Sequence, residues 1–303
     1  MVMMILLAAG VMLVLAVLGA WVLGWANRAF HVDVDPRIEK VNAALPGANC
    51  GGCGYVGCND YAEAVVAGTA APDLCPVGGE SVARDIAGIA GVDVEQSWPY
   101  RPVVHCGATY AQRKGRMKYL GESTCSAANL VNGLQFCTYG CMGFGDCVSV
   151  CAFDAIHVEE GLATVDYEKC VGCGACAKVC PRNIISMVPF KVERMLAILC
   201  SNRDMGKDVR AVCEVGCIGC KACERASQGA VTMKDNLPVI DYDQYDPDAM
   251  DATLMAMQKC PMQRFLYVGK PTPEDLEKVK DEAAPGVVKA DFKTSVDQTE
   301  WRG

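Results

Sequence analysis

The chain has 303 residues, with 20 cysteines, 3 histidines, and 28 basic against 36 acidic side chains for a net charge of -8. That acidic balance, with no long run of Lys or Arg, gives nucleic-acid binding no electrostatic footing. Cysteines placed in tight C-x2-C-x2-C runs in a chain this long read as metal ligands rather than as the disulfide framework of a small secreted domain, and twenty thiols make five sets of four.

Met1 to Ala26 carries no charged side chain, and Arg28 is the first. A run this long can cross the hydrocarbon core as a tilted helix, whereas a cleaved signal peptide needs a basic start and small residues at its end. Trp21 and Trp25 suit the interfacial belt, and Arg28, Arg37 and Lys40 beyond them favour a cytoplasmic side for the rest of the chain. Residues 1–27 are therefore expected to form a single-pass anchor in the cell membrane. The reducing cytoplasm agrees with thiolates kept free for metal.

Asp35 as N-cap and Pro36 at the first helical position predict a short helix to Leu45. Cys50, Cys53, Cys58 and Cys75 come next in a C-x2-C-x4-C-x16-C pattern. Glycines crowd the first three, as a backbone wrapping closely round a cubane would require. Four thiolates also suit zinc, and spacing alone does not separate the two metals. Helices over 61–68 and 81–89 complete a small domain, 28–96. Trp98-Pro99-Tyr100 and Pro102 break periodicity and predict a linker over 97–102.

Beyond it runs an internal repeat. Cys137 to Cys147 aligns without gaps on Cys213 to Cys223, and two apolar-polar alternations, turning at Glu160-Gly161 and Asp235-Asn236, predict matching β-hairpins. The first unit, 103–199, holds Cys137, Cys141, Cys147 and Cys151, then Cys170, Cys173, Cys176 and Cys180 before Pro181. The second run is the bacterial ferredoxin pattern, in which the cysteine before proline ligates the other cluster. The second unit, 200–268, is stripped. Phe144 of the first unit stands where it has Cys220, its expected fourth cysteine falls at Ala226 to Ser227, and Tyr245 occupies the place of Cys170.

The predicted sets are Cys50, Cys53, Cys58 and Cys75; Cys137, Cys141, Cys147 and Cys180; Cys151, Cys170, Cys173 and Cys176; and Cys217, Cys220, Cys223 and Cys260. Cys106, Cys125, Cys200 and Cys213 are left, as a fifth set of scattered ligands or as four free thiols packed like small hydrophobes. The expected cofactors are thus [4Fe-4S] clusters, four in compact motifs and a fifth from the scattered cysteines. The tail, 269–303, begins with a helix capped by Thr272 with Pro273 and Asp275, and its polar end is expected to be flexible or bound by a partner. His31, His105 and His157 are isolated, and neither a Rossmann glycine motif nor a Walker A run occurs. No catalytic residues are expected. The predicted fold class is α+β: a transmembrane helix, a small helical four-cysteine domain and duplicated ferredoxin-like domains.

The run Leu45-Pro46-Gly47-Ala48-Asn49-Cys50-Gly51-Gly52-Cys53-Gly54-Tyr55, continued by Cys75-Pro76-Val77-Gly78-Gly79 and then ferredoxin repeats behind an uncharged helix, resembles the B subunits of Rnf complexes. Tyr139 to Cys147 resembles the longer form found in anaerobic bacteria. Ala152, where that family often has proline, and the stripped repeat depart from it. The resemblance covers residues 1 to about 268. It implies a membrane complex moving electrons from reduced ferredoxin to NAD+ while translocating Na+ or H+, with this subunit as the ferredoxin-facing relay. It places flavin- and NAD-binding sites on partner subunits beside integral membrane subunits. The competing readings are an iron-sulfur module that reductively services a corrinoid or other redox partner, since the first four-cysteine domain also resembles that of corrinoid iron-sulfur proteins, and a redox sensor.

Overall fold

The computed structural model describes residues 2–30, 35–94, 98–227, 229–246, 250–278, 280 and 287–288. The chain mixes helix and strand. It opens with α1 (Val2–Ala29), whose 28 residues extend about 42 Å. No part of its apolar span, Ala9–Ala29, is buried against the rest of the chain. A helix of this length, apolar all round and packed on nothing, can satisfy its side chains in a bilayer.

Three helices build the small domain. In α2 (Pro36–Ala44) the Asp35 carboxylate accepts the Arg37 N–H at 2.8 Å, the expected cap. The other two are α3 (Cys58–Val66) and α4 (Gly79–Ala90), each beginning two or three residues before its predicted start. Val41, Tyr61 and Ile86 form their fully buried centre. The Tyr61 hydroxyl donates to Ala71 O and accepts from Leu74 N, which pins the loop carrying Cys75.

The main body comes next. Strand β1 (Tyr100–Val104) corrects the linker: Tyr100 to Pro102 are already strand, and residues 95–97 lie outside the described residues. After it come α5 (Cys125–Asn129), α6 (Asp146–Ser149), the hairpin β2 (Ile156–Glu159) and β3 (Leu162–Val165), α7 (Ala175–Val179) and β4 (Ile185–Pro189). β1 pairs antiparallel with β4. A second passage repeats this order with β5 (Arg194–Ile198), α8 (Gly206–Val212), α9 (Ala222–Ala226), the hairpin β6 (Val231–Lys234) and β7 (Leu237–Ile240), α10 (Met250–Lys259) and β8 (Phe265–Gly269). β5 pairs with β8, so the strand at 194–198 belongs with the second passage and not, as the sequence boundary at 199 had it, with the first.

Side chains recur with the strands. The Tyr167 hydroxyl donates to Pro102 O in β1, and the Tyr242 hydroxyl donates to Leu196 O in β5, each at 2.9 Å and each to the third residue of its strand. Both hairpins turn through two residues with positive φ, Glu160-Gly161 and Asp235-Asn236, the type I′ geometry that matches strand twist. After β8 comes α11 (Pro273–Lys278), where Thr272 and Asp275 cap each other as predicted. β9 (Val287–Val288) then pairs with β2. Two residues of the tail expected to be flexible therefore extend a sheet, and the rest of 281–303 lies outside the described residues.

Deleting residues 2–29 should move the protein from the membrane pellet to the aqueous fraction and leave the thermal unfolding of the body unchanged. Gly161 sits at φ +80° with the Tyr110 ring where a Cβ would go, so Gly161→Ala costs about 2 kcal/mol or more, read as a lower urea midpoint at constant slope.

Candidate metal centres

All twenty cysteines are free thiols, nine of them buried. Four cavities of similar size, about 310, 340, 390 and 320 Å3, are each walled by four of these thiols. The first holds Cys50, Cys53, Cys58 and Cys75, shaped by the loop in which Asn49 accepts the N–H of Cys58 at 2.8 Å and so caps α3. The second holds Cys151, Cys170, Cys173 and Cys176. Another holds Cys217, Cys220, Cys223 and Cys260. All three sets match the sequence grouping.

The remaining cavity does not. It is lined by Cys106, Cys137, Cys200 and Cys213, so Cys137 stands among the scattered cysteines and not beside Cys141. Cys125 goes the other way. Asp146 accepts its backbone N–H at 2.6 Å, and burial, then the neighbouring sulfurs Cys141, Cys125, Cys176 and Cys180, push the Cys147 thiol up. With the other sixteen cysteines placed, Cys125, Cys141, Cys147 and Cys180 are left as a fifth set, and Cys147 senses the other three. Phe144, in the slot where the second passage has Cys220, packs edge-on against Tyr119 at 5.4 Å, and α5 delivers Cys125 instead.

A signal for this exchange lay in the repeat itself. Cys137 and Cys213 are aligned positions, and Cys106 and Cys200 each fall two residues after the equivalent strands β1 and β5. The central cavity takes one such pair from each passage. Its backbone ties are equivalent too: His105 N donates to Ile184 O, and Leu199 N donates to Arg264 O.

Burial pushes the Cys141 and Cys200 thiols up to about 11 and Cys176 to about 12. A guest that carries metal charge must offset that cost of holding thiolates. The cavities fit a cluster better than one ion. Four sulfurs on zinc lie about 2.3 Å from the metal and hence within about 4 Å of one another. Among the described residues, no three His, Cys, Asp or Glu side chains are grouped to hold a metal ion. Backbone amides already point at sulfur: Gly78 N to Cys75, Ala155 N to Cys151, Cys217 N to Cys200 and Arg264 N to Cys260, at 3.3–3.4 Å. Arg101, Arg113 and Arg182 each bury a guanidinium nitrogen without a hydrogen-bond partner. Such orphaned cationic donors suit an anionic guest.

The five sets form a line. A Cβ on Gly52, in the first cysteine loop, would stand 3.1 Å from Cys173 Cβ. Cys147 feels Cys176, Cys141 feels Cys106, and Cys200 accepts the Cys217 N–H. In the second passage the corresponding space is filled: Ser227, 1 % exposed, accepts the Val231 N–H at 3.0 Å where Cys151 accepts that of Ala155 at 3.3 Å, and Tyr245 is buried.

Comparison with known proteins agrees with this chemistry. A family model for an Fe-S cluster matches residues 45–77, and one for a 4Fe-4S binding domain matches residues 163–186. The chain is 40% identical over 240 residues to the B subunit of the Na(+)-translocating ferredoxin:NAD(+) oxidoreductase complex of Acetobacterium woodii, covering 78% of this chain and 70% of that protein. It is 39% identical to the B subunit of the ion-translocating oxidoreductase complex of Methanosarcina acetivorans, over 78% of this chain and 86% of that one. To the B subunit of the proton-translocating ferredoxin:NAD(+) oxidoreductase complex of Clostridium ljungdahlii it is 36% identical, over 83% and 88%.

The regrouping makes a pairwise test. Cys125→Ser and Cys180→Ser should alter one and the same paramagnetic signal of the reduced protein, and Cys137→Ser and Cys106→Ser a different one. If Cys137→Ser and Cys141→Ser instead change the same signal, the sequence grouping stands.

Proposed function

Because the chain belongs to the family of B subunits of ion-translocating oxidoreductase complexes, we propose that it takes electrons from reduced ferredoxin and relays them through five [4Fe-4S] clusters. The coarser statement needs no proposal: this is an iron-sulfur electron-transfer subunit of a multi-subunit oxidoreductase, membrane-associated by relationship and by its apolar helix. Its partners include the other subunits of such a complex.

The observation that carries the relay is the line of five thiol quartets, each adjoining the next. A [4Fe-4S] cluster supplies one-electron storage and transfer at a potential set by charge, hydrogen bonds and exposure. The residues hold the sulfurs: Cys50, Cys53, Cys58 and Cys75 first; then Cys151, Cys170, Cys173 and Cys176; Cys125, Cys141, Cys147 and Cys180; Cys106, Cys137, Cys200 and Cys213; and Cys217, Cys220, Cys223 and Cys260. Repeated pairing and matched tyrosine hydrogen bonds support reading residues 100–190 and 194–269 as duplicated ferredoxin-like units, the second with one site filled by Tyr245 and Ser227.

Cys220 is the one cysteine exposed at the surface, which makes the last site a suitable port for exchange with a soluble donor. The soluble body stands on the cytoplasmic side, where ferredoxin and NAD+ are found, and flavin, nicotinamide and ion translocation belong to the partner subunits, coupled to Na+ or H+.

Protein purified without oxygen should carry about 20 iron atoms per chain. About 16 would remove one quartet, and zinc in place of iron would overturn the reading. In membranes, reduced ferredoxin should bleach the cluster absorbance, and NAD+ should restore it. Failure of ferredoxin to reduce the clusters removes the relay role.

A further inference from the structure

The central cavity is the only one of the four described whose cysteines are all buried, and two arginines face it. Arg113 is 5 % exposed, and its guanidinium donates to Cys141 O, Ala108 O and Gly161 O. It thus stands between the central quartet and the Cys125-Cys141-Cys147-Cys180 quartet. Arg264 stands at the opposite junction. It lines both the central cavity and the Cys217-Cys260 cavity, its backbone N–H donates to Cys260 Sγ at 3.3 Å, and its guanidinium lies against Gly107 beside Cys106.

Neither arginine pairs with a carboxylate among the described residues, and no Asp or Glu lines the central cavity. Each bonds only to neutral carbonyls, so its charge stays uncompensated. A buried cation in dry surroundings costs desolvation unless an anion lies nearby, and its field there is stronger than in water.

We infer that Arg113 and Arg264 are the counter-charges of the central site, and that Arg264 raises the reduction potential of its cluster. The inference rests on the proposal that these quartets hold [4Fe-4S] clusters. Reduction adds one negative charge to the site. Burial of all four central cysteines opposes that charge. Arg113 adjoins both this quartet and the next, and so does Arg182, which senses Cys137, Cys180 and Cys125. Of the two quartets Arg264 faces only the central one, and Arg116, which senses Cys141, stands by the other. A hydrogen bond acts in the same direction: buried Asn202 donates from Nδ2 to Cys137 Sγ at 3.6 Å.

The test is a redox titration of the iron-loaded full chain, followed by the paramagnetic signals of the reduced clusters. The signal lost in Cys200→Ser identifies the central site. In Arg264→Met the central signal should need a lower potential, by about tenfold in its reduced-to-oxidised ratio at fixed potential, which is 59 mV for one electron. Arg264→Lys should restore most of the shift, and Arg203→Met, on the exposed surface, should cause none. Potentials unchanged in Arg264→Met at full iron content overturn the inference. If Arg264→Met loses iron, Arg264→Gln, which keeps a hydrogen-bond donor without the charge, decides by the same readout. Iron near 16 per chain, with no signal lost in Cys200→Ser, instead overturns the five-cluster reading.

Discussion

Burial of thiols that gain nothing from one another is the constraint on which this structure depends. Sulfurs brought together in these pockets resist ionisation, and four of the quartets each wall a gap that side chains do not fill. Among the described residues, apolar packing comes in four separate clusters, and every one of them includes or touches cysteine: Cys223 and Cys260 in one, Cys106, Cys141, Cys147, Cys176 and Cys213 in another. A guest bound by those thiols completes each core. The strands are short, four or five residues in both passages, because they need only frame such pockets and not cover a broad sheet.

The second passage gives an internal control on that view. Where a quartet is gone, protein has taken its place: Tyr245 enters the core with Ile240 and Ala256, and Ser227 keeps the hydrogen bond that a cysteine makes in the first passage. An emptied cluster pocket would be a cavity lined by polar sulfur, costly in lost contacts. Filling it with an aromatic ring and a hydroxyl preserves the hairpin and the Tyr242 anchor beside it.

Much of this was legible in the residues. Motif spacing identified three quartets, because their ligands sit within one loop or one loop and its following proline. The hairpin turns, the Asp35 and Thr272 caps and the repeat were all readable from local chemistry. What misled was proximity in sequence: Cys137 lies four residues from Cys141 and was grouped with it, although its aligned partner Cys213 already stood in the scattered set. Cys125 gave no cue, since it arrives on α5, outside any compact cysteine motif. The Tyr100–Pro102 strand was hidden by its prolines, which edge pairing tolerates.

A site composed of equivalent positions from two halves exists in neither half alone. Cys106 and Cys137 precede Cys200 and Cys213 by most of a domain, and the strand that closes the second half, Phe265–Gly269, comes later still. During synthesis, the two quartets confined to single stretches near the start, Cys50 to Cys75 and Cys151 to Cys176, are complete early, while the central one waits for the far end of the chain to fold back. The order of maturation is thereby written into the topology: iron reaches the site shared by the two halves only after the far end of the chain has been made.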